Sequence, residues 1–320
     1  MIFNYFDEEQ LMDIAFILGT KIVELTLIVL MGYGLVKSKL LKSEDSKPLS
    51  IIGLYIISPA VMIEAFQISY TPEILEGLML SFGMAVFLHG MLVIIGTVLK
   101  RTLKLDPIEH AASIYANSGN LIIPLVMGLF GKEWVVYASC FIIVQTFMFW
   151  THCRLIIAGK GNLTLKTVLK NINIWSIMMG LVMFALQIKL PDTINGTLSS
   201  VGMFIGPNAM LIAGMLIASI PLRDLFSSKR IYLVTFLRLL VIPLFLMVVV
   251  KLCGFSGWVQ NGETIALISF LATTSPAAST VTQMALIFGN NPQKASAIYG
   301  VTTLLCMFSM PFIIALYQLW

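Results

Sequence analysis

The chain has 320 residues, of which 58% are hydrophobic and 11% charged, and it carries a net charge of +4. With a mean hydropathy of +0.93 it lies far outside the soluble range, and no connection between its apolar stretches is long enough to form a soluble domain. That composition excludes an ordinary soluble protein and predicts an all-α polytopic membrane protein.

Apolar runs of spanning length fall at 11–36, 48–69, 77–99, 107–130, 134–157, 171–189, 197–220, 230–252, 263–288 and 293–318, which makes ten spans. The acidic start (Asp7, Glu8, Glu9) lacks a signal peptide's basic region, and the first run is too long for a signal core, so span 1 is expected to be retained. Lys21 and Glu24 sit three apart on it and predict a structural ion pair. Span 2 holds Pro59 and then Glu64, read either as a proton site or as a residue at the outer interface. In span 3, His89 is either a proton-coupling group or a packing residue. Asp106-Pro107-Ile108-Glu109 then reads as a helix start, with a cap, a proline at the first position and a capping-box glutamate.

Span 4 is interrupted by Asn117-Ser118-Gly119-Asn120, with Pro124 just beyond. Gln145 follows in span 5 as a candidate for cavity lining or coupling, while His110 and His152 sit near span ends and are given no role. Residues 159–170 read as a cytoplasmic linker between a first five-span repeat, 1–158, and a second, 171–320. Gly202 and Gly206 in span 7 are spaced for close helix packing or a dimer face. Arg238 in span 8 is read either as a partner for a substrate anion or as a side chain snorkelling to the headgroups. Span 9 is interrupted by Thr273-Thr274-Ser275-Pro276, and Gln283 in the same span is a further coupling candidate. Asn291-Pro292 starts span 10.

Basic residues crowd the odd-numbered loops (Lys37 to Lys47, Lys100 to Lys104, Arg154 to Lys170, Arg223 to Arg230, Lys294), whereas the even loops hold only Lys132, Lys189 and Lys251. The positive-inside rule places the odd loops in the cytoplasm and both termini outside, in the cell membrane. Spread over five loops, these charges are topology signals and predict the lipid bilayer, not nucleic acid, as partner. The four cysteines (Cys140, Cys153, Cys253, Cys306) have no metal or redox spacing and are read as packing residues.

Five spans per half force the second half to enter from the opposite face, an inverted repeat. Ile57-Ser58-Pro59-Ala60-Val61-Met62 answers Ile205-Gly206-Pro207-Asn208-Ala209-Met210, and Phe130-Gly131 answers Phe288-Gly289. Aligning those Phe-Gly pairs lays Asn117–Asn120 on Ser275–Ala278, so the two breaks coincide. Each break has a stated cause. Pro124 and Pro276 lack an N–H and clash with the carbonyl four residues back, and Ser275-Pro276 reads as the cap and first residue of a new half-helix. A half-helix that starts in mid-membrane aims unsatisfied N–H groups and partial positive charge into a cavity, which suits a carboxylate without a buried lysine. Matched interruptions of this kind point to a transporter's binding site.

Asn117-Ser118-Gly119 with Ile123-Pro124-Leu125 resembles the span-4 signature of the auxin efflux carrier family. Gly32-Tyr33-Gly34, Ser58-Pro59-Ala60, Ser275-Pro276-Ala277, Phe288-Gly289 and Met310-Pro311 match in order, so the resemblance covers nearly the whole chain. It implies two inverted five-helix repeats with crossed, broken helices 4 and 9, and a scaffold of spans 1, 2, 6 and 7. Against that scaffold a unit of spans 3–5 and 8–10 would move in an elevator motion. It also implies homodimers and organic anion substrates, as in the bacterial malate and malonate permeases. Ile122 replaces a usual second glycine, Asn120 replaces a usual apolar residue, and Thr273 and Thr274 stand where auxin exporters have asparagine, so auxin is not the expected substrate.

The resulting expectation is a secondary transporter of small carboxylates or dicarboxylates, driven by a proton or sodium gradient or by neither, with no cofactor or metal. Asn117, Ser118, Gly119, Asn120, Thr274, Ser275 and Arg238 would contact substrate, and Pro124 and Pro276 would shape the breaks. A cation/proton antiporter of similar fold needs carboxylates at the crossing, and none occurs in 110–130 or 264–290. An intramembrane enzyme would show His-Glu-x-x-His or Gly-x-Ser-x-Gly, and both are absent. A non-transporting sensor would need a signalling domain or a longer tail.

Overall fold

A computed structural model describes residues 8–159, 172–219 and 228–320. The expected linker falls almost entirely outside them, as do Arg223 and the side chains of Lys21 and Asn120. The described residues form helices, joined at one point by an isolated antiparallel bridge. In chain order these are α1 (Glu8–Lys37), α2 (Ser43–Ala65), α3 (Pro72–Leu103), α4 (Pro107–Ile114), α5 (Ser118–Leu129) and α6 (Lys132–Ala158). There follow α7 (Ile172–Ala185), α8 (Asp192–Ala218), α9 (Lys229–Cys253), α10 (Gly262–Thr273), α11 (Ser279–Phe288) and α12 (Pro292–Leu319). Six of them, α2, α3, α6, α8, α9 and α12, are long and apolar enough to cross a membrane, and α7 and α10 are shorter apolar helices.

The ends are set by local chemistry. Thr71 Oγ1 accepts from the Ile74 N–H at 3.3 Å ahead of Pro72, and Asn291 Oδ1 accepts from Lys294 at 3.2 Å ahead of Pro292. At α4 the capping box closes in both directions. Asp106 Oδ1 accepts from Ile108 (2.9 Å) and Glu109 (3.0 Å), and Glu109 Oε2 accepts from Asp106 N–H (3.1 Å). Large apolar side chains along α3, Phe82, Val86 and Ile94 among them, are exposed, the face a bilayer would cover.

Close helix contacts run through glycine. A methyl on Gly32 of α1 would lie 2.3 Å from the Leu211 carbonyl oxygen, and one on Gly214 of α8 would lie 2.0 Å from that of Val29. The backbones of α1 and α8 therefore touch, and Val29, Met210, Ala213, Ile217 and Tyr299 pack around this seam. Gly202 and Gly206 are consumed inside the protomer, not left for a dimer face. A methyl on Gly202 would meet Val61 Cγ2 of α2 at 3.0 Å, and one on Gly206 would meet Pro124 Cβ of α5 at 3.0 Å.

Both interrupted segments are broken, but not as the proline positions suggested. Pro124 lies inside α5, and the break falls earlier, where Tyr115 is extended (φ −91, ψ 123). Ser275-Pro276 does not open the second half-helix. α11 starts only at Ser279, because the residues before it are spent on the crossing. The crossing pairs Ala116 with Ala277, whereas the Phe-Gly register laid Ala116 on Thr274. The lengths explain the slip: α5 has 12 residues and α11 has 10, so one register cannot fit both the crossing and the helix ends. The ends do correspond, since Gly131 (φ +103) and Gly289 (φ +66) each terminate a half-helix in a conformation that favours glycine.

Candidate functional site

The two breaks meet as a short antiparallel ladder. The Asn117 N–H donates to the Pro276 carbonyl at 2.9 Å, and the Ala278 N–H donates to the Tyr115 carbonyl at 3.0 Å. Unwound backbone inside a helical membrane protein must find partners, and the remaining groups here do so through side chains. Gln145 Nε2 of α6 donates to the Ala116 carbonyl at 2.8 Å, and Thr302 Oγ1 of α12 accepts from the Ala277 N–H at 3.2 Å.

Arg238 supplies the rest. It is 0% exposed, so it does not snorkel, and its fork faces the carbonyl ends of α4 and α10. Nε donates to Ser275 O and Nη2 to Thr273 O, each at 3.0 Å, while Nη1 lies 3.4 Å from both Ser113 O and Ile114 O. Those are the orphan carbonyls and negative dipole ends of two helices, where a guanidinium belongs. Arg238, expected as an anion partner, thus has its donors taken by the crossing in this conformation. A π-turn at Leu237–Val241 carries it, and the extra residue in that turn re-aims the side chain.

With the carbonyl ends bound to Arg238, the opposite, amide-bearing ends of α5 and α11 begin at Ser118 and Ser279 on the other side of the ladder. Ser118 and Ser275 are fully buried and their hydroxyls have no protein partner, an uncommon condition that points to a ligand or water. Thr274 turns its hydroxyl back to Leu271 O at 2.8 Å, so it is occupied within its own helix. Beside the ladder lies a cavity of about 30 Å³ lined by Asn117 and Pro276, by Thr26 and Val29 of α1, by Met210 of α8 and by Tyr299 and Thr303 of α12. That volume holds about one or two waters.

The coupling candidates separate. His89 Nδ1 donates to Ala85 O one turn back at 2.7 Å and its ring packs 4.3 Å from that of Phe141, which is packing behaviour. Gln283 is exposed, away from the ladder, and Gln145 belongs to the crossing itself. Glu64 is paired. Lys132 Nζ reaches it at 3.3 Å and also bonds Ser199, tying α2, α6 and α8 at the edge of a second cavity of about 220 Å³. The α4 cap does more than start a helix. Glu109 Oε2 takes Arg230 Nη2 at 2.5 Å, and Lys294 Nζ reaches Asp106 at 2.5 Å and Glu109 at 3.2 Å, joining α4, α9 and α12. Tyr115, Arg238 as a cap, and the His110–His152 proximity were not legible in the sequence, since each depends on which distant helix lies alongside.

Helices of membrane-crossing length, with two of the shorter segments broken at a shared crossing, define a multi-pass membrane transporter. The family described as membrane transport protein, the transport domain of the auxin efflux carriers, matches residues 17–167 and 161–314. That is nearly the whole chain, and the chain belongs to this family. No curated protein matches it.

Proposed function

We propose that this chain is a secondary transporter that carries small organic anions, carboxylates or dicarboxylates, across the cell membrane by elevator-type alternating access. The observation that carries this reading is the crossing: two helix amino-terminal ends and two partnerless buried hydroxyls gather where no acidic side chain competes. Amide-bearing ends of this kind bind anions, and a buried carboxylate there needs no paired lysine.

The ladder's two hydrogen bonds are related by exchange of the halves, which supports two inverted five-helix repeats, 1–158 and 171–320. α1, α2, α7 and α8 make the scaffold, joined through the α1–α8 glycine seam, and α3–α6 with α9–α12 make the moving unit. Gly206 against Pro124 is a smooth contact between the two, suited to sliding. The cavity's small volume corresponds to a closed state, and loading requires the crossing to move away from α1 and α8. The protomer pairs through its scaffold as a homodimer, with both termini outside the cell.

The test is uptake of radiolabelled malonate and malate into proteoliposomes. Asn117→Ala and Ser275→Ala should each lower uptake about tenfold or more, the worth of a hydrogen bond to a charged group, at unchanged expression. Wild-type rates in both variants would remove the site.

A further inference from the structure

We propose that His110, His152 and Tyr115 form the proton site of a proton-coupled carrier, His152 taking the proton and Tyr115 linking it to the crossing. This inference rests on the carrier reading above and names its coupling ion.

The three residues meet from separate places. His110 lies on α4, His152 on the π-turn Phe149–Cys153 of α6, and Tyr115 in the extended break. The two imidazole rings are 6.3 Å apart at 85°, the Tyr115 and His152 rings 6.2 Å apart, and the phenol stacks on Phe149 at 4.9 Å. His110 is 3% exposed, yet neither of its ring nitrogens has a protein partner. A neutral imidazole carries one donor and one acceptor, so leaving both idle in a buried site is not explained by packing. His152 is half-buried and gives the pair its route to water.

Proton counting at Tyr115 fixes which nitrogen of His152 already holds a proton, so that a transported proton adds at Nε2. Its hydroxyl lies 2.8 Å from His152 Nδ1 and 3.2 Å from the Met148 carbonyl. A phenol has one proton and a carbonyl only accepts. Both contacts are therefore hydrogen bonds only when Nδ1 carries a proton and donates to the phenol oxygen, which in turn donates to Met148. Without a proton on Nδ1 the phenol turns to the histidine and Met148 loses its donor. The Tyr115 carbonyl accepts from Ala278 in the ladder, and Asn117 on the anion site is two residues on.

The surrounding charges make proton and anion interdependent. Elements packed on the pair carry Lys100 on α3, Asp106 and Glu109 on α4, Arg154 on α6, Arg230 and Arg238 on α9 and Lys294 on α12, while α11 has no charged residue. Asp106 and Glu109 are engaged by Arg230 and Lys294, and Lys100 at the end of α3 adds positive charge. A further positive charge is thus opposed until an anion sits at the start of α5. By linkage the proton then favours the anion equally. One proton enters with the anion, converts imidazole to imidazolium, and leaves as imidazole re-forms. The phenol proton only changes partner.

The chain has 3 histidines, so ring-¹⁵N labelling in nanodiscs gives a spectrum assignable with H89Q, H110Q and H152Q. His152 Nδ1 should carry a proton in the wild type, lose it in Y115F, and respond to added malonate, while His89 does not respond. An Nδ1 without a proton between about pH 5 and 8, or unchanged in Y115F, overturns the assignment. In proteoliposomes, stimulation of malonate uptake by an inward proton gradient, relative to exchange in the same vesicles, should fall on the order of tenfold in H152Q and hold in H89Q. Equal stimulation in H152Q and wild type, or equal loss in H89Q, also overturns it. Wild-type protein inert to malonate counts against the substrate reading alone, and the nitrogen spectra then decide the proton site.

Discussion

Arg238 holds the carbonyl ends of two helices, and its four carbonyl partners lie 35, 37, 124 and 125 positions away along the chain. Truncation to methionine would leave those carbonyls buried and unpaired. R238M should cost on the order of 3–5 kcal/mol, seen as a fall in melting temperature in detergent together with loss of uptake. R238K keeps the charge, but an ammonium cannot spread over four carbonyls as the planar fork does, so an intermediate loss is expected. A substrate-only role predicts the opposite pattern, with melting unchanged and uptake lost. An arginine in an apolar run is visible from composition, but what it binds is not. Its partners are backbone atoms of other helices, which carry no residue signature. Ser118 and Ser275 stand out in sequence because they interrupt apolar runs, whereas no sequence signal tells that the Thr274 hydroxyl donates one turn back in its own helix.

Among elements, α1 and α8 approach closely enough for their backbones to touch, and a single methyl tests it. Gly214→Ala would place Cβ 2.0 Å from the Val29 carbonyl oxygen and force the pair apart, destabilising by about 1–3 kcal/mol. Gly34→Ala has nothing within 4 Å and should stay within about 0.5 kcal/mol of the wild type. Thermal unfolding of the two variants side by side separates close packing from helix propensity. Equal behaviour would refute the seam. The helix positions and both capped starts, at Asp106 and Asn291, follow from apolar run length and local cap chemistry. The break positions follow less well. A proline marks a strained turn but not which residue leaves the helix, since α5 tolerates Pro124 inside it, and α11 yields its first residues to the ladder.

For the whole molecule, orientation decides which way an anion enters, and the cysteines give a direct measure. Cys140, Cys153 and Cys306 are buried, while Cys253 is exposed at the end of α9, beside the turn at Gly254. The charge distribution predicts that turn outside the cell, because Lys251 in the last turn of α9 is the one basic residue there and the odd loops hold the lysine and arginine clusters. A membrane-impermeant maleimide should therefore label Cys253 in intact cells. In a C253S background, a cysteine at Lys39, in the turn after α1, should label only after permeabilisation. The consequence reaches the site. α4 begins at the Asp106–Glu109–Arg230–Lys294 cluster and ends at the crossing, so with that cluster cytoplasmic, α10 approaches the ladder from outside. His152 then meets water on the cytoplasmic side, where an imported proton must be released. Reversed labelling would put the basic cluster outside and turn the proton's exit into its entrance, while an inward proton gradient would still drive proton and anion inward together.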